Sequence, residues 1–308
     1  MIQIMDNRSL LYRFQARFRY HSLTFKQFGN SFKLHAQGKN KRGVLELAKL
    51  GQVKMVMHRP LKGTPKTAIV KRTPTGKWFA NITVELGEQD RQEKRLPLSE
   101  EEVGIDVGLT SFAYLSTNEA FANPHFFREE EAKLARASRK LSKAPKGSKE
   151  HERKRKVVAR THEQIANRRK NFIEQEVCKL VARFGFIAVE ALVVRNMVKN
   201  PNLAKSIADA SWSQFFTRLL VKAEEAGRQV VQVNPAYTSQ TCSACAHRQS
   251  MPLSVRVYEC PQCGLVIHRD HNGSLNILTD ALQACGRAGR VIPEAPGLQP
   301  WGVVTCFG

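Results

Sequence analysis

The first 95 residues alternate hydrophobic with polar side chains in short stretches that end at glycine or proline. Four of these stretches carry β-branched and aromatic residues: SFKLHAQG, GQVKMVMHRP, TAIVKRTPTG and KWFANITVEL. Such alternation between Gly and Pro turns is typical of strands. The pattern therefore predicts a small, barrel-like β domain over residues 1–95.

Three later stretches are almost wholly hydrophobic and predict buried strands: VGIDV, FGFIAVEALVV and RQVVQVNP. The first follows a polar linker at 87–101, and Gly108 permits a tight turn into a further strand. The first two contain one acid each, Asp106 and Glu190. A buried carboxylate is costly without a partner or a metal. These acids are candidate site residues, although taken alone Asp106 has a simpler interpretation as a turn cap and Glu190 as a surface acid.

Hydrophobic residues at helical spacing predict a long helical hairpin over residues 128–184, bent at residues 145–148. We expect Gly185 to form the C-cap of its second arm. The apolar face of this arm is typical of core packing.

The stretch SWSQFFTRLLVKAEEAG predicts an amphipathic helix. We expect it to begin at a capping box of Ser211 and Gln214 and to end at Gly227. Its aromatic stripe indicates core packing. The preceding segment, residues 194–210, is expected to be a loop.

Composition changes this picture by adding a strong positive charge. The 308-residue chain is 42% hydrophobic, which is typical of a globular protein, and carries a formal net charge of +22 with a pI near 10.0. Such an excess attracts polyanions, above all nucleic acid; a solvated basic surface is the alternative. The chain shows no apolar run of membrane-spanning length and no signal peptide, so we expect no membrane partner and a cytoplasmic location.

The predicted hairpin concentrates this charge. Between Arg128 and Lys170 there are sixteen Lys and Arg residues against six acids. A helical pair of this charge suits contact with phosphates. The candidate nucleic-acid contacts are Arg139, Lys140, Lys143, Lys146, Lys149, Arg153, Lys154, Arg155, Lys156, Arg168 and Arg169.

Four of the seven cysteines form two Cys-x-x-Cys pairs separated by fourteen residues. Four thiolates with this spacing predict a closed, tetrahedral zinc site with a structural role. The predicted zinc ligands are Cys242, Cys245, Cys260 and Cys263.

A third acid follows the cysteines closely. Asp270 lies seven residues after the last of them, at the start of a helix-like run. Together with Asp106 and Glu190 it predicts a carboxylate cluster that binds two Mg²⁺ or Mn²⁺ ions, since hard oxygen ligands suit these ions. Two ions so placed can promote phosphodiester cleavage.

These motifs resemble the TnpB family, the OrfB proteins of IS200/IS605-type insertion sequences, which are related to type V CRISPR nucleases. The resemblance covers roughly residues 45–280. The matching stretches are LAKLGQVKMVMHRPLKG, GIDVGLTSFAYLS, FANPHFFR, NRRKNF, IAVEAL, NPNLAKSIADASWSQF and YTSQTCSACAH with YECPQCGLVIHRDHNGSLNIL.

The resemblance implies an α/β fold: an RNase H-like (RuvC) nuclease domain with an inserted helical hairpin and a zinc ribbon, preceded by a wedge-like β domain. The implied parts are the wedge domain at 1–95, the nuclease domain at 96–234, the zinc ribbon at 235–268, the last RuvC segment at 269–282 and a disordered tail at 283–308.

The activity implied is that of an RNA-guided DNA endonuclease. Asp106, Glu190 and Asp270 would be the catalytic and Mg²⁺-binding acids. A guide RNA from the transposon end and a target DNA would be the partners, with the protein at the nucleoid when bound to DNA.

The chain also departs from the family. Family members carry further N-terminal sequence, so we expect a truncated copy. Ala246 stands where a glycine usually follows the first cysteine pair, and Gly273 and Ser274 replace the usual small pair. The alternative function is therefore a truncated or catalytically idle remnant that binds RNA or DNA, or an RNA-guided repressor.

Overall fold

A computed structural model describes residues 21–37, 42–57, 60–252, 254–287 and 290–291. The predicted disorder of the tail falls largely outside these residues. The chain forms two compact units. Unit 1 comprises residues 1–93 and 146–160, and unit 2 comprises residues 94–145 and 161–308.

Unit 1 contains six strands in two antiparallel sheets, in the orders β1-β5-β6 and β2-β3-β4. The strands are β1 Ser22–Phe25, β2 Phe32–Gln37, β3 Arg42–Leu47, β4 Gly51–Val56, β5 Thr64–Arg72 and β6 Trp78–Glu85. Phe32, Leu45, Leu47 and Ala68 form a core shared by the two sheets. A short helix, α1, spans Glu88–Gln92. Among the described residues no ladder joins the two sheets, so the barrel-like form stays a prediction.

Unit 2 is built on a five-stranded mixed sheet in the order β11-β10-β7-β8-β9. The strands β7, β8 and β9 are antiparallel neighbours, whereas β10 and β11 run parallel to β7. Their bounds are β7 Glu102–Val107, β8 Ser111–Leu115, β9 Ala120–Ala122, β10 Phe186–Glu190 and β11 Gln229–Val233. The strands predicted around Asp106 and Glu190 are thus present.

The helices and a small hairpin complete the chain. They are α2 Phe126–Ser142, α3 Lys149–Arg183, α4 Val194–Met197, α5 Pro201–Ala210, α6 Trp212–Ala226, β12 Val257–Glu259, β13 Val266–His268 and α7 Arg269–Ala284. Residues 149–160 of α3 group with unit 1, although the sequence analysis assigns them to the nuclease domain. In the part of the chain that the structure describes, no helix is long and apolar enough to cross a membrane.

The two faces of the five-stranded sheet bury different helices. Ile105 of β7 and Val189 of β10 belong to one core with α3 and α6, which includes the aromatic stripe of α6. Ala188 of β10 packs instead with Leu278 of α7. Since successive strand residues point to opposite faces, the residues next to Ile105 and Val189 face α7.

The loop predicted at residues 194–210 is wrong, because helices α4 and α5 occupy most of it. The start signal of α5 is an Asn-Pro pair. The Asn200 side chain accepts a hydrogen bond from Asn202 N (3.1 Å), and Pro201 takes the first helical position, where its missing N–H costs nothing.

Two predicted helix caps are also wrong. Ser211 adopts a left-handed conformation (φ 58°) between α5 and α6, and its hydroxyl donates to Ala208 O (3.0 Å) instead of capping α6. Gly185 lies outside the left-handed region. A Cβ there would lie 1.7 Å from the carbonyl oxygen of Ser99, so close backbone approach requires this glycine. Gly227 ends α6 as predicted, with φ 72°.

Candidate functional site

Two neighbouring parallel strands carry the first two acids. Val189 of β10 pairs with Ile105 of β7, so the next residues, Glu190 and Asp106, lie side by side at the carboxyl ends of their strands. Both face α7, by the alternation described above. Glu190 is buried and Asp106 is partly buried.

Helix α7 brings the third acid, Asp270, to the same place. Asp270 lies in the first turn of α7, and the backbone N–H of Asp270 donates a hydrogen bond to His268 Nδ1 (3.2 Å). The helix packs tightly on β7 because both surfaces carry glycine. A Cβ at Gly104 would lie 2.1 Å from the carbonyl oxygen of Ser274, and a Cβ at Gly273 would lie 2.8 Å from Asp106 Oδ2. The structure therefore gathers the three predicted acids at one edge of the sheet.

The electrostatics of this cluster are unfavourable without a cation. Burial, followed by the nearby Glu190 and Asp270 carboxylates, raises the pKa of Asp106 well above its usual value, and Arg269 only partly opposes this. Burial also raises the pKa of Glu190, against a hydrogen bond of 2.6 Å that Thr238 Oγ1 donates to Glu190 Oε1. Hard oxygen donors with mutual repulsion fit a divalent ion such as Mg²⁺ or Mn²⁺.

Aromatic and basic side chains form the rim of the cluster. Tyr114 stacks on the rings of His268 and His271, with centroid distances of 5.0 and 5.7 Å. Burial and the Asp270 carboxylate raise the pKa of Tyr114. Arg256 Nη1 lies 3.8 Å from Asp270 Oδ1, although the Arg256 side chain is half exposed.

The four predicted zinc ligands converge. The Sγ atoms of Cys242 and Cys263 are 3.6 Å apart, as are those of Cys245 and Cys260, and all four lie within 4.8 Å of one another. A tetrahedral site with Zn–S bonds of about 2.3 Å has sulfur atoms about 3.8 Å apart, so this geometry fits zinc. Among the described residues, by contrast, the carboxylate oxygens of Asp106, Glu190 and Asp270 do not all lie within 4.8 Å of one another.

The thiols differ in their surroundings. Burial raises the pKa of Cys242 to about 12. Burial also acts to raise the pKa of Cys260, but the backbone N–H groups of Cys263 and Gln262 and the neighbouring thiols outweigh it and lower that pKa to about 7. Backbone N–H donors that stabilise a thiolate favour metal binding.

A buried polar network ties the cysteine segment to α7, and sequence reasoning missed it. Arg269, Asn272 and Asn276 of α7 are buried and hydrogen-bond to backbone groups of residues 238–255. Their spacing of three and four residues, on a helix that also carries Leu275, Ile277 and Leu278, is the signal that could have revealed it.

Most of the predicted nucleic-acid contacts are accessible. Seven of them are exposed: Arg139, Lys140, Lys143, Lys146, Lys149, Arg153 and Arg155. Lys154 and Lys156 are partly exposed and pair with Glu150 and Glu152 one turn earlier in α3. Surface pairs of this kind are weak, so these two lysines stay candidates.

Arg168 and Arg169 are instead engaged within the fold. Arg168 pairs with Glu129 (2.8 Å), and its guanidinium lies 4.6 Å from the centre of the Phe126 ring. Arg169 Nη2 donates to Asp209 Oδ1 (2.8 Å), and Asp209 is buried. Removing either partner of a buried pair is costly, so Arg169 has a structural role beside Asp209, whereas the Arg168–Glu129 pair is partly exposed. Both arginines stay predictions as phosphate contacts.

Two family models match the chain. One, described as "Probable transposase" (OrfB of IS605), matches residues 81–201, and the other, described as "Cas12f1-like, TNB domain", matches residues 212–277.

Similar proteins include one of Streptomyces pristinaespiralis named "Putative RNA-guided DNA endonuclease". It is 36% identical over 253 residues, which cover 80% of this chain and 61% of that protein. The Escherichia coli K12 protein "Putative RNA-guided DNA endonuclease InsQ" is 31% identical over 273 residues, which cover 81% of this chain and 66% of that protein. The chain thus spans less than two thirds of the length of either relative.

A solved structure of a CRISPR-Cas12f ternary complex aligns over 70% of this chain and 45% of that chain, with a TM-score of 0.46 and 21% identity. The family assignment rests on the two family models and on the two relatives above 30% identity. The chain belongs to the TnpB family, the OrfB proteins of IS605-type insertion sequences.

Proposed function

We propose that this chain carries out RNA-guided, Mg²⁺- or Mn²⁺-dependent cleavage of DNA. The observation that carries the proposal is the meeting of Asp106, Glu190 and Asp270 at one edge of the sheet. Burial raises the pKa of both Asp106 and Glu190 there, and the neighbouring carboxylates raise the pKa of Asp106 further. Carboxylates arranged at this cost are typical of a metal site that performs chemistry.

The five-stranded sheet supports a RuvC-type, RNase H-like domain. It has three antiparallel strands followed by two parallel ones, and the first acid lies on the first strand. The metal ions would be bound by Asp106, Glu190 and Asp270, which would thereby position the ions beside the scissile phosphate. Two bound Mg²⁺ or Mn²⁺ ions would supply an activated water and stabilise the leaving 3′ oxygen.

The cysteine site is proposed to hold zinc in a structural role. Its four sulfur ligands complete a tetrahedron and leave no position for a substrate. The site therefore stabilises residues 235–268, which lead directly into α7 and Asp270.

A guide RNA from the transposon end and a target DNA are the proposed partners. Both relatives named above are called RNA-guided DNA endonucleases. The exposed basic residues of α2, the turn and the start of α3 provide phosphate contacts, and base pairing by the guide would supply sequence specificity.

Co-expression with RNA transcribed from the chain's own locus tests this function. We would sequence the RNA that co-purifies and incubate the complex with a randomised DNA target library and Mg²⁺. We expect one discrete RNA and cuts that depend on a short motif beside the target. A discrete RNA without cuts would favour the alternative, a binding remnant or repressor. The absence of any specific RNA would contradict the proposal.

A further inference from the structure

The segment before the first cysteine pair contacts the second acid directly. Thr238 is buried, and its Oγ1 donates to Glu190 Oε1 at 2.6 Å. The carbonyl oxygen of the same residue accepts from Asn276 Nδ2 of α7 at 2.8 Å. Thr238 therefore joins the β10 acid and α7 four residues before Cys242.

The first cysteine knuckle is bonded to α7 beside the third acid. Asn272 is fully buried and lies two residues after Asp270. Its Oδ1 accepts from Ser243 N at 2.9 Å, and its Nδ2 donates to Thr241 O at 2.7 Å. Ser243 lies between the first two cysteines, so one side chain connects the zinc ligands to the turn that carries Asp270.

The loop between the two cysteine pairs fixes the same turn from the other side. Arg269 is buried and donates to Pro252 O at 2.6 Å and to Ser239 Oγ at 3.1 Å. Its backbone N–H donates to Arg256 O at 2.8 Å. Arg269, directly before Asp270, and Asn272, two residues after it, are thus both held by the cysteine module, defined as residues 235–268.

We propose that Thr238 and Asn272 are positioning residues through which the cysteine module sets the placement of Glu190 and Asp270, and thereby the affinity of the acid cluster for a divalent cation. The proposal rests on the metal-dependent function proposed above. Hydrogen bonds that orient metal-binding carboxylates are worth about 10–100-fold in metal affinity when removed.

Thr238 offers a matched pair of variants. Thr238→Val keeps the shape and loses the hydroxyl, whereas Thr238→Ser keeps the donor. Thr279→Val is the control, because it removes another buried hydroxyl of unit 2, one that donates to Leu275 O away from the acids. The probe is Mn²⁺ added to the zinc-loaded full chain, with binding followed by calorimetry or by Mn²⁺ electron paramagnetic resonance.

We expect Thr238→Val to weaken Mn²⁺ binding about tenfold or more, and Thr238→Ser and Thr279→Val to stay within about twofold of the wild type. Wild-type affinity in Thr238→Val would overturn the proposal. If Thr238→Val does not fold, Asn272→Ala is compared with the control Thr279→Val. Since Thr279 lies nine residues after Asp270 in α7 and donates to Leu275 O, equal affinities in these two variants would overturn the role of Asn272.

Asp106→Asn separates the two hypotheses. If the wild type binds no more Mn²⁺ than Asp106→Asn, the proposed metal site itself is absent and the function fails. If the wild type binds Mn²⁺ and Asp106→Asn does not, the site is real, and the Thr238 and Asn272 variants decide the positioning role.

Discussion

Asp106 is a charged residue among apolar neighbours in its strand. It lies in a strand whose Val103 and Ile105 pack in the core. Burial and the charges of Glu190 and Asp270 together raise the pKa of Asp106. Folding alone does not favour a carboxylate there. The sequence signal, one acid in an apolar strand, predicted both Asp106 and Glu190 as site residues, and their catalytic role stays a prediction.

We predict that Asp106→Asn stabilises the protein in buffer free of divalent ions. A carboxyl group whose pKa is raised by folding keeps its proton to a higher pH in the folded state, so it lowers the unfolding free energy as the pH rises from about 4 through the raised pKa. The thermal midpoint of Asp106→Asn should exceed that of the wild type by more at pH 7.5 than at pH 4.5. The exposed Glu224→Gln is the control. A higher thermal midpoint for the wild type than for Asp106→Asn at pH 7.5 would contradict the prediction.

The two cysteine knuckles provide an internal comparison of alanine with glycine. Ala246 and Gly264 each follow a Cys-x-x-Cys pair and adopt left-handed conformations, with φ 66° and 72°. Their backbone N–H groups donate to Cys242 O and Cys260 O at 3.0 and 2.9 Å. Left-handed backbone costs about 1 kcal/mol in a residue with a Cβ, so the knuckle with alanine is strained and its counterpart is not.

Ala246→Gly should therefore stabilise the zinc-loaded protein by about 0.5–1 kcal/mol, and Gly264→Ala should destabilise it by about 1 kcal/mol. No atom lies within 4 Å of a Cβ at Gly264, so the backbone conformation accounts for that loss. Urea denaturation, monitored by a spectroscopic probe in the cysteine module, measures the unfolding free energy of both variants. Changes of the same sign in the two variants would refute the account.

At the scale of elements, regular sequence patterns predicted the strands and helices well. Features that depend on tertiary contacts were not predicted. Apolar runs identified β7 and β10, and helical spacing identified α6. The Asn-Pro start of α5 was overlooked. Gly185 was assigned to a helix cap, because its close approach to Ser99, a residue far away in the sequence, leaves no local pattern. Polar groups of α7 such as Asn272 find partners only once the cysteine module has folded, so pattern alone did not predict their bonds.

We predict that zinc removal unfolds residues 235–268 while the strands of unit 1 persist. Folding free energy in such modules comes largely from the metal, and the described hydrophobic core of this one is small, centred on Cys242, Tyr258 and Cys260. Limited proteolysis after treatment with a zinc chelator, with zinc re-addition as the control, would locate the cuts. Protection of the module after complete zinc loss would argue against the four-thiolate site.

At the scale of the whole molecule, charge dominates the expected behaviour. Of the net charge of +22, +17 belongs to unit 1 and +5 to unit 2, and the end of α2 and the start of α3 each carry exposed basic residues. Nucleic acid bound through phosphates displaces counterions, so its affinity should fall steeply with salt. For 6–10 phosphate contacts we expect a loss of about a thousandfold or more between 50 and 200 mM salt.

Filter-binding titrations with the co-purifying RNA at several salt concentrations would test this. Substituting exposed Arg153 and Arg155 with Gln should reduce the salt slope, since each lost phosphate contact lowers it by about one. Arg169→Gln should instead lower stability, because Arg169 pairs with buried Asp209. A flat salt dependence would contradict a phosphate-dominated interface.

The central claim is that three acids from three elements form one nuclease site. Its most direct test is DNA cleavage by the RNA-bound chain with Mg²⁺, comparing the wild type with Asp106→Ala, Glu190→Ala and Asp270→Ala. We predict that each variant loses cleavage by at least a thousandfold, on the order of what removal of a catalytic group costs, while RNA binding changes less than about threefold. Cleavage retained by any one of the three, Asp270→Ala above all, would contradict the account.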